Sequence, residues 1–259
     1  MPERTFLRYQ LQNSTRQISP SSKLFEGALQ ISEDCVAAHL DALAQLRQKN
    51  AVRLQETSSA EIAKLNGKRV LFLGDSLTAD ELGYRALVCE AANLAGRNGA
   101  ISGGTSSSLL HLFLRKLTSK ASPTPEIVSI MLGTNDCVSV EREELHQVSP
   151  EEYLRNMRAI LTWAKKTGAR VLLFAVPPIL EARFNAHAIA NGKLNSNRSV
   201  IQYNALLAAL ANELSLSLIP HDHCMQKEDF FEEDGLHWNA SAQLCFAEKW
   251  LRAAAEITK

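Results

Sequence analysis

One short apolar run, Val70–Leu73, ends abruptly at Gly74-Asp75-Ser76, and it constrains the fold of this chain more than any other segment. The run is too short for a helix and lacks the alternating polar residues of a half-exposed strand. It therefore predicts a strand that is buried on both faces of a parallel sheet. Open α/β sheets bind ligands beyond the carboxyl ends of such strands. Ser76 lies at that point, either as a nucleophile or as the cap of a following helix.

Three later segments contain what an acyl-transfer site needs besides a serine. Gly103 offers a backbone N–H that no side chain shields. Asn135 offers a side-chain amide directly after a second apolar, strand-like run. Asp234 and His237 are three residues apart, so in a turn the carboxylate can hold one imidazole nitrogen. Together with Ser76, these residues favour catalysis over simple helix caps and turns.

In their order and spacing, these four segments resemble the four sequence blocks of the SGNH (GDSL) hydrolase superfamily. The resemblance extends from about Arg69 to the end of the chain. It implies that Ser76 is the nucleophile, that His237 is the general base, and that Asp234 orients the histidine. A histidine suits this role because its side chain titrates near neutral pH.

The same resemblance implies an oxyanion hole formed by the Ser76 N–H, the Gly103 N–H and the Asn135 side chain. Gly104 follows Gly103 where many members of the superfamily have a larger residue, so either glycine could supply the second N–H. The preceding segment, Leu94–Ala100, has little apolar content and predicts only a weak strand.

Composition excludes several classes of function. The 259 residues contain 28 lysines and arginines and 28 aspartates and glutamates, which gives no electrostatic basis for binding nucleic acid or an anionic membrane. No apolar run approaches the ~20 residues that span a bilayer, and the first ten residues lack the apolar core of an export signal. Five scattered cysteines indicate free thiols in a reducing compartment, so we predict a cytoplasmic protein. These cysteines are Cys35, Cys89, Cys137, Cys224 and Cys245.

Strand and helix patterns alternate after Arg69, which predicts a three-layer α/β/α sandwich with a mostly parallel sheet of flavodoxin-like arrangement. We expect a catalytic domain over residues 67–259 and an N-terminal helical extension over residues 1–66. Strands are predicted at Val70–Leu73, Ile127–Leu132, Arg170–Val176 and Leu216–Ile219. Helices are predicted from Ser149 to Gly168, from Val200 to Leu214 and from Ala240 to Ala255.

The N-terminal extension contains a predicted amphipathic helix, Glu33–Gln48, with an apolar face made by Val36, Leu40, Leu43 and Leu46. Ser58-Ser-Ala-Glu61 has the pattern of a capping box for a second helix that ends near Gly67. These helices either cover the catalytic domain or form an arm for dimerisation or partner binding.

Two long loops, Cys137–Val148 and Pro177–Ser199, follow strand ends and are expected to shape the substrate pocket. Asp75 and Asp136 flank the motifs and are expected to brace loops rather than to react. Trp238 could line the pocket or belong to the core.

The segment His221-Asp-His-Cys224 raises the possibility of a metal site, but its spacing matches no standard zinc motif. Alternate residues of an extended segment also point to opposite faces. We therefore expect surface or supporting histidines here, and no metal or other cofactor.

The predicted reaction is hydrolysis of a small-molecule ester through an acyl-serine intermediate. The resemblance implies small acyl esters, including acetylated sugars, as substrates, and leaves lysophospholipids and thioesters open. Transfer of the acyl group to an alcohol is the first alternative. A partner-binding protein with a vestigial site is the second. The sequence does not determine the oligomeric state.

Overall fold

The structure, a computed structural model, describes residues 33–117, 123–140, 145–188, 192–222 and 227–258. Its strands are β1 (Arg69–Gly74), β2 (Ala95–Asn98), β3 (Ile127–Met131), β4 (Ser139–Val140), β5 (Arg170–Phe174), β6 (Lys193–Leu194) and β7 (Leu218–Ile219). Five of them form one sheet in the order β2-β1-β3-β5-β7, and all neighbours in it are parallel. β4 and β6 form a separate antiparallel pair.

Helices cover both faces of the five-stranded sheet. They are α1 (Glu33–Thr57), α2 (Ser59–Leu65), α3 (Ser76–Ala79), α4 (Tyr84–Ala91), α5 (Ser106–Leu117), α6 (Pro150–Lys166), α7 (Glu181–Ala188), α8 (Asn197–Glu213) and α9 (Ala240–Ile257). Residues of α1, α2, α4 and α9 share one core with the sheet, and residues of α5, α6 and α8 share another. This arrangement and strand order confirm the predicted three-layer, flavodoxin-like sandwich.

The apolar strands are buried on both faces, as their composition predicted. Phe72 of β1 packs in the first core with Trp250 of α9, and their ring centroids are 5.4 Å apart. The next residue, Leu73, points to the second core. Because successive side chains of a strand alternate between faces, a continuous apolar run is what a doubly covered strand requires.

The edge strands differ from their predictions. β2 forms from a segment with little apolar content, and it pairs with β1 from Ala95 to Asn98. None of its four residues is buried, because β2 lies at an edge of the sheet. β7 at the other edge is only two residues long, although the prediction began at Leu216.

Local capping explains two helix boundaries. The Ser149 hydroxyl accepts the Glu152 N–H at 3.3 Å, and Pro150 occupies the first turn of α6, as predicted. The capping box at Ser58 is wrong: this residue precedes α2 but its hydroxyl makes no capping bond. It is the single residue between α1 and α2, and its own N–H remains bonded to the Leu54 carbonyl of α1 at 2.9 Å.

The N-terminal helices pack against the sheet-covering helices α4 and α9. Leu54 and Leu65 are completely buried in the first core. α1 extends to Thr57, well beyond the predicted end. Leu46 is 40 % exposed, contrary to the predicted apolar face. Residues 1–32 and the side chains of Val36 and Leu40 lie outside the described part of the chain.

The described parts of the two long loops contain strands and a helix that the sequence did not predict. The first contains β4, and the second contains α7 and β6, so that the β4–β6 pair joins them. The helix after the second loop begins at Asn197 rather than Val200. None of the helices in the described ranges has the length and apolar content that crossing a lipid bilayer requires.

Candidate active site

The predicted site residues meet at the carboxyl edge of the sheet, where β1 and β3 are neighbours. Gly74 at the end of β1 is in register with Met131 at the end of β3. From β1 the chain continues to β2 on one side, and from β3 to β5 on the other. A crevice forms outside such a reversal of strand order, and it is the usual ligand site of this architecture. Ser76 begins α3 there, and Asn135 follows β3.

Ser76, His237 and Asp234 form a continuous hydrogen-bonded series. The Ser76 Oγ lies 2.8 Å from His237 Nε2. On the other side of the ring, His237 Nδ1 lies 2.5 Å from Asp234 Oδ2. Because a carboxylate can only accept, the Nδ1 atom carries the proton, and Nε2 is left to accept the serine proton. This is the geometry of a base-activated nucleophile.

The Asp234 carboxylate also holds the backbone of the histidine loop. Its Oδ1 atom accepts the N–H groups of Leu236 and His237, both at 2.9 Å. Burial alone would raise the pKa of Asp234, but the hydrogen bond and charge of His237 outweigh it and hold this pKa well below the usual range. Asp234 is therefore ionised near neutral pH and suited to face an imidazolium.

Asp75 braces the nucleophile rather than contacting it. Its Oδ1 atom accepts the Leu77 N–H at 3.0 Å, and so caps α3. Burial raises the pKa of Asp75, while the Thr134 hydroxyl and the Leu77 N–H oppose that rise. The expectation that this carboxylate supports a loop agrees with these contacts.

The structure separates the two candidate oxyanion glycines. The Gly104 N–H donates to the Ile101 carbonyl at 2.8 Å, so it is already occupied within a turn. The Gly103 N–H has no acceptor among the described residues. Gly103 adopts a φ of +69°, and no atom lies within 4 Å of where its Cβ would be. Gly103 is therefore the glycine of this pair whose N–H is available to a ligand.

Asn135 is tied to the same loop. Its Nδ2 donates to the Gly104 carbonyl at 3.0 Å. A primary amide has two N–H groups, so the second remains for a ligand. Gly103 follows β2 and Asn135 follows β3, the two strands on either side of β1, so this bond fixes the position of the Asn135 amide relative to the loop of Gly103.

Two supporting residues, Ser106 and Asn156, were missed from the sequence. The buried Asp136 carboxylate accepts the Ser106 N–H at 2.9 and 3.0 Å, and it also accepts the Ser106 hydroxyl. Asn156 of α6 donates to the Ser106 Oγ at 3.2 Å. The run of four hydroxyl residues 105–108 is typical of a helix start and was the available signal.

Asp136 is a second buried carboxylate beside Asp75. Burial raises the pKa of Asp136 to about 6, although the hydroxyl and N–H of Ser106 oppose the rise and the charge of Asp75 adds to it. These contacts agree with the expectation that Asp136 braces a loop.

Helix α7, within the second long loop, packs on the histidine loop. The Leu180 N–H donates to the Gly235 carbonyl at 2.8 Å, and Arg183 donates to the Glu232 carbonyl at 3.3 Å. Phe184 and Leu236 belong to one small buried apolar cluster. The sequence indicated only that this loop would lie near the site.

Only His221 and Asp222 of the possible metal segment lie in the described ranges. His221 is partly buried, its Nε2 lies 2.8 Å from the Ala175 carbonyl, and desolvation lowers its pKa to about 4. It packs against Trp238, which is completely buried and is therefore a core residue rather than a pocket wall. His223 and Cys224 lie outside the described residues. No group of three or more potential metal ligands occurs among the residues described.

Comparison with known proteins agrees with this geometry. The sequence profile of the GDSL-like Lipase/Acylhydrolase family matches residues 72–243, a range that contains all five predicted site residues. The chain is 26 % identical over 199 residues to the isoamyl acetate-hydrolyzing esterase 1 homolog of Bos taurus, covering 70 % of this chain and 80 % of that protein. It is 27 % identical over 195 residues to an arylesterase of Vibrio mimicus, covering 70 % of this chain and 85 % of that protein.

A solved structure of similar fold is the psychrotrophic esterase EstA from Pseudoalteromonas. It superposes with a TM-score of 0.52 at 21 % identity, over 73 % of this chain and 96 % of the esterase. The match to the family profile spans well over half of the chain and includes the four motifs within its range. The chain belongs to the GDSL-like lipase/acylhydrolase family, within the SGNH superfamily that its motifs resemble, and is a carboxylic ester hydrolase.

Proposed function

We propose that the chain hydrolyses small acyl esters through an acyl-serine intermediate, with Ser76 as nucleophile, His237 as general base and Asp234 as its orienting partner. The observation that carries this proposal is the hydrogen-bonded series from Ser76 Oγ to His237 at 2.8 Å and on to Asp234 at 2.5 Å. A serine hydroxyl is a weak nucleophile, and it needs a base in direct contact.

In the first half of the reaction, Ser76 Oγ attacks the ester carbonyl carbon while His237 Nε2 takes the hydroxyl proton. Asp234 remains ionised and stabilises the imidazolium that results. When the tetrahedral intermediate collapses, the bond to the alcohol breaks and Nε2 returns the proton to the leaving oxygen. The acyl group is then bound to Ser76.

In the second half, His237 Nε2 takes a proton from water, and the resulting hydroxide attacks the acyl carbon. Collapse of this second intermediate releases the carboxylic acid, and the proton returns to Ser76 Oγ. The products are one alcohol and one acid, and the site returns to its starting state without a redox step.

The developing oxyanion would be held by the Ser76 N–H, the Gly103 N–H and the second N–H of the Asn135 amide. Ser76 is the first residue of α3, where a backbone N–H has no acceptor inside its helix. The Gly103 N–H has no acceptor among the described residues. One N–H of Asn135 donates to the Gly104 carbonyl, which leaves the other N–H for the oxyanion. Donors already in place stabilise the charge without reorganising during the reaction.

A short acyl group is the substrate feature that the relatives support. One is named for the hydrolysis of isoamyl acetate, and the other is named an arylesterase. We therefore propose small esters with short acyl groups, and acetylated sugars within that class. The free thiols at Cys89 and Cys137 are compatible with the proposed cytoplasmic location.

The test combines turnover with active-site labelling. Hydrolysis of p-nitrophenyl acetate should fall by several orders of magnitude in Ser76→Ala, and a fluorophosphonate probe should label the wild type but not this variant. Ser241→Ala, at an exposed position in the first turn of α9, is the matched control and should keep both activities. Near-normal turnover by a folded Ser76→Ala protein would refute the proposal.

A further inference from the structure

Asp136 directly follows Asn135, but its carboxylate is enclosed within the protein. It is completely buried, and both of its oxygens accept the N–H of Ser106, at 2.9 and 3.0 Å. The Ser106 hydroxyl donates to the same carboxylate. In the described part of the chain, neither carboxylate oxygen is hydrogen-bonded to Ser76 or His237.

Ser106 is the first residue of α5 and lies three positions after Gly103. The Asp136–Ser106 contact therefore joins the loop that contains Gly103 to the loop that contains Asn135. A second bond joins the same two loops, from Asn135 Nδ2 to the Gly104 carbonyl at 3.0 Å.

The buried side of this junction has its own support. Asn156 of α6 is completely buried and donates to the Ser106 Oγ at 3.2 Å and to the Ser107 Oγ at 2.9 Å. The Ser107 hydroxyl in turn donates to Glu152 at 2.9 Å. Ser106 is thus hydrogen-bonded through both its N–H and its hydroxyl. Asn156 and Glu152 of α6 also bond the hydroxyls of the first turn of α5.

We propose that Asp136 is a positioning residue that, through Ser106, sets the separation of the Gly103 N–H and the Asn135 amide. The inference rests on the proposed function, in which these two groups stabilise the oxyanion. Donors of this kind act only when they are placed about 3 Å from the developing charge, so a loop shift of 1 Å is enough to reduce the rate. Asp136 would then affect the chemical step without touching the substrate.

The first experiment compares Asp136→Ala with Asp136→Asn. Alanine removes both acceptor oxygens, and we expect kcat for p-nitrophenyl acetate to fall roughly 10²-fold with little change in KM. Asparagine keeps one acceptor oxygen for Ser106, and it should restore most of the lost kcat. If Asp136→Ala folds poorly, Ser106→Ala provides the second variant. It removes the hydroxyl alone and should lower kcat by a smaller factor in the same direction.

The second measurement does not depend on activity. Amide hydrogen exchange at Gly104, Thr105 and Ser106, whose N–H groups are hydrogen-bonded, should be faster in Asp136→Ala than in the wild type, and close to wild type in Asp136→Asn. Asp80→Ala is the matched control. Asp80 is also completely buried and accepts a backbone N–H, that of Leu82 at 2.9 Å, together with a Gln243 amide at 3.1 Å. This control should lose stability but leave exchange at these three residues unchanged.

Two results would overturn the inference. One is a kcat that stays at the wild-type level in a destabilised Asp136→Ala protein, which would make Asp136 a purely structural carboxylate. The other is an equal loss of kcat in Asp80→Ala, which would make the effect a general consequence of instability. Failure of the proposed function itself would look different, because wild-type enzyme would then not react with the fluorophosphonate, while the exchange measurement would still report on the loop.

Discussion

At the scale of single residues, two polar side chains of the site use one atom to bond the backbone of a loop and leave another for the reacting groups or a ligand. One oxygen of Asp234 binds the backbone of its own loop, and the other binds the imidazole of His237. One N–H of Asn135 binds the Gly104 carbonyl, and the other is left for a ligand. The same bonds that fold the loops therefore orient the reactive groups before any substrate arrives. This prior orientation is what makes electrostatic stabilisation of a transition state effective.

Asn135→Ala removes one proposed oxyanion donor together with the tether to Gly104. Because the donor acts mainly on the charge that develops in the transition state, we expect kcat for p-nitrophenyl acetate to fall by ~10²–10³ with little change in KM. Asn204→Ala is a suitable control, since that amide bonds both the N–H and the carbonyl of Val176, at 2.7 and 2.9 Å. It should lower the melting temperature but not kcat. A change confined to KM in Asn135→Ala would show that Asn135 only binds substrate.

The buried Asp136 makes a distinct prediction about pH. Its folded-state pKa of about 6 lies above the usual 3.8, so the folded protein binds this proton more tightly than the unfolded chain does. The free energy of unfolding therefore loses a contribution as pH rises from 3.8 to about 6. In Asp136→Asn this titration is absent. As pH rises through this window, the free energy of unfolding of the variant should therefore increase relative to that of the wild type, by at most about 1.4 kcal/mol per pH unit. Urea unfolding at several pH values measures the difference. Parallel curves for the two proteins would contradict the raised pKa.

At the scale of helices and strands, the parts that the sequence predicted are those with a complete local signal. β1 and β3 are short apolar runs that need two covered faces, and α6 has a serine cap followed by proline. The edge strand β2 gave a weak signal because none of its four residues is buried, so its sequence needs no apolar run. α7 was missed because its helical turns lie within a segment of mixed polarity and depend on contacts with the histidine loop.

The candidate site shows the same division. Ser76, Asp234 and His237 were predicted because their motifs have characteristic residues and spacing, and they lie within hydrogen-bonding distance of one another. The contact between Asp136 and Ser106 joins residues thirty positions apart through tertiary packing. No periodicity or local pattern specifies such a contact. The hydrogen bond that occupies the Gly104 N–H likewise depends on the folded turn, and the sequence alone could not indicate it.

The packing of α7 on the histidine loop predicts a sensitive position at Gly235. This residue has a φ of +70°, and a Cβ there would lie 2.7 Å from the Phe184 N and 2.8 Å from the Leu180 O. Gly235→Ala should therefore combine the left-handed backbone cost of about 1–2 kcal/mol with an overpacking cost of about 1–3 kcal/mol. Because α7 must move away from the loop of His237, kcat should fall as well.

Gly67 is the matched control for Gly235. Its φ is +73°, but no atom lies within 4 Å of a Cβ built there. Gly67→Ala should therefore show the backbone cost alone, with an unchanged kcat. Chemical denaturation and p-nitrophenyl acetate turnover of both variants give the comparison. Equal losses of stability in the two proteins would mean that α7 adapts to the added methyl group.

At the scale of the whole molecule, the N-terminal helices share a core with the catalytic part of the chain. Arg47 of α1 donates to Glu90 of α4 at 2.7 Å, and Thr57 donates to Glu248 of α9 at 2.9 Å. The match to the family profile begins at residue 72 and does not include these helices. The contacts lie on the helices that cover one face of the sheet. We therefore propose that residues 33–65 cover and stabilise the catalytic domain without taking part in the reaction.

Leu54→Ala tests this role of the extension in the full-length protein. Leu54 of α1 is completely buried in the first core, so its truncation leaves a cavity and should lower the free energy of unfolding by about 2–5 kcal/mol. Val52→Ala, at a position 48 % exposed on the same helix, should change it by less than about 0.5 kcal/mol. Both variants should retain wild-type kcat and fluorophosphonate labelling in their folded fraction. An unchanged stability in Leu54→Ala would make the helix a separate arm and favour partner binding. A stable Leu54→Ala protein with a reduced kcat would mean instead that the extension shapes the active site.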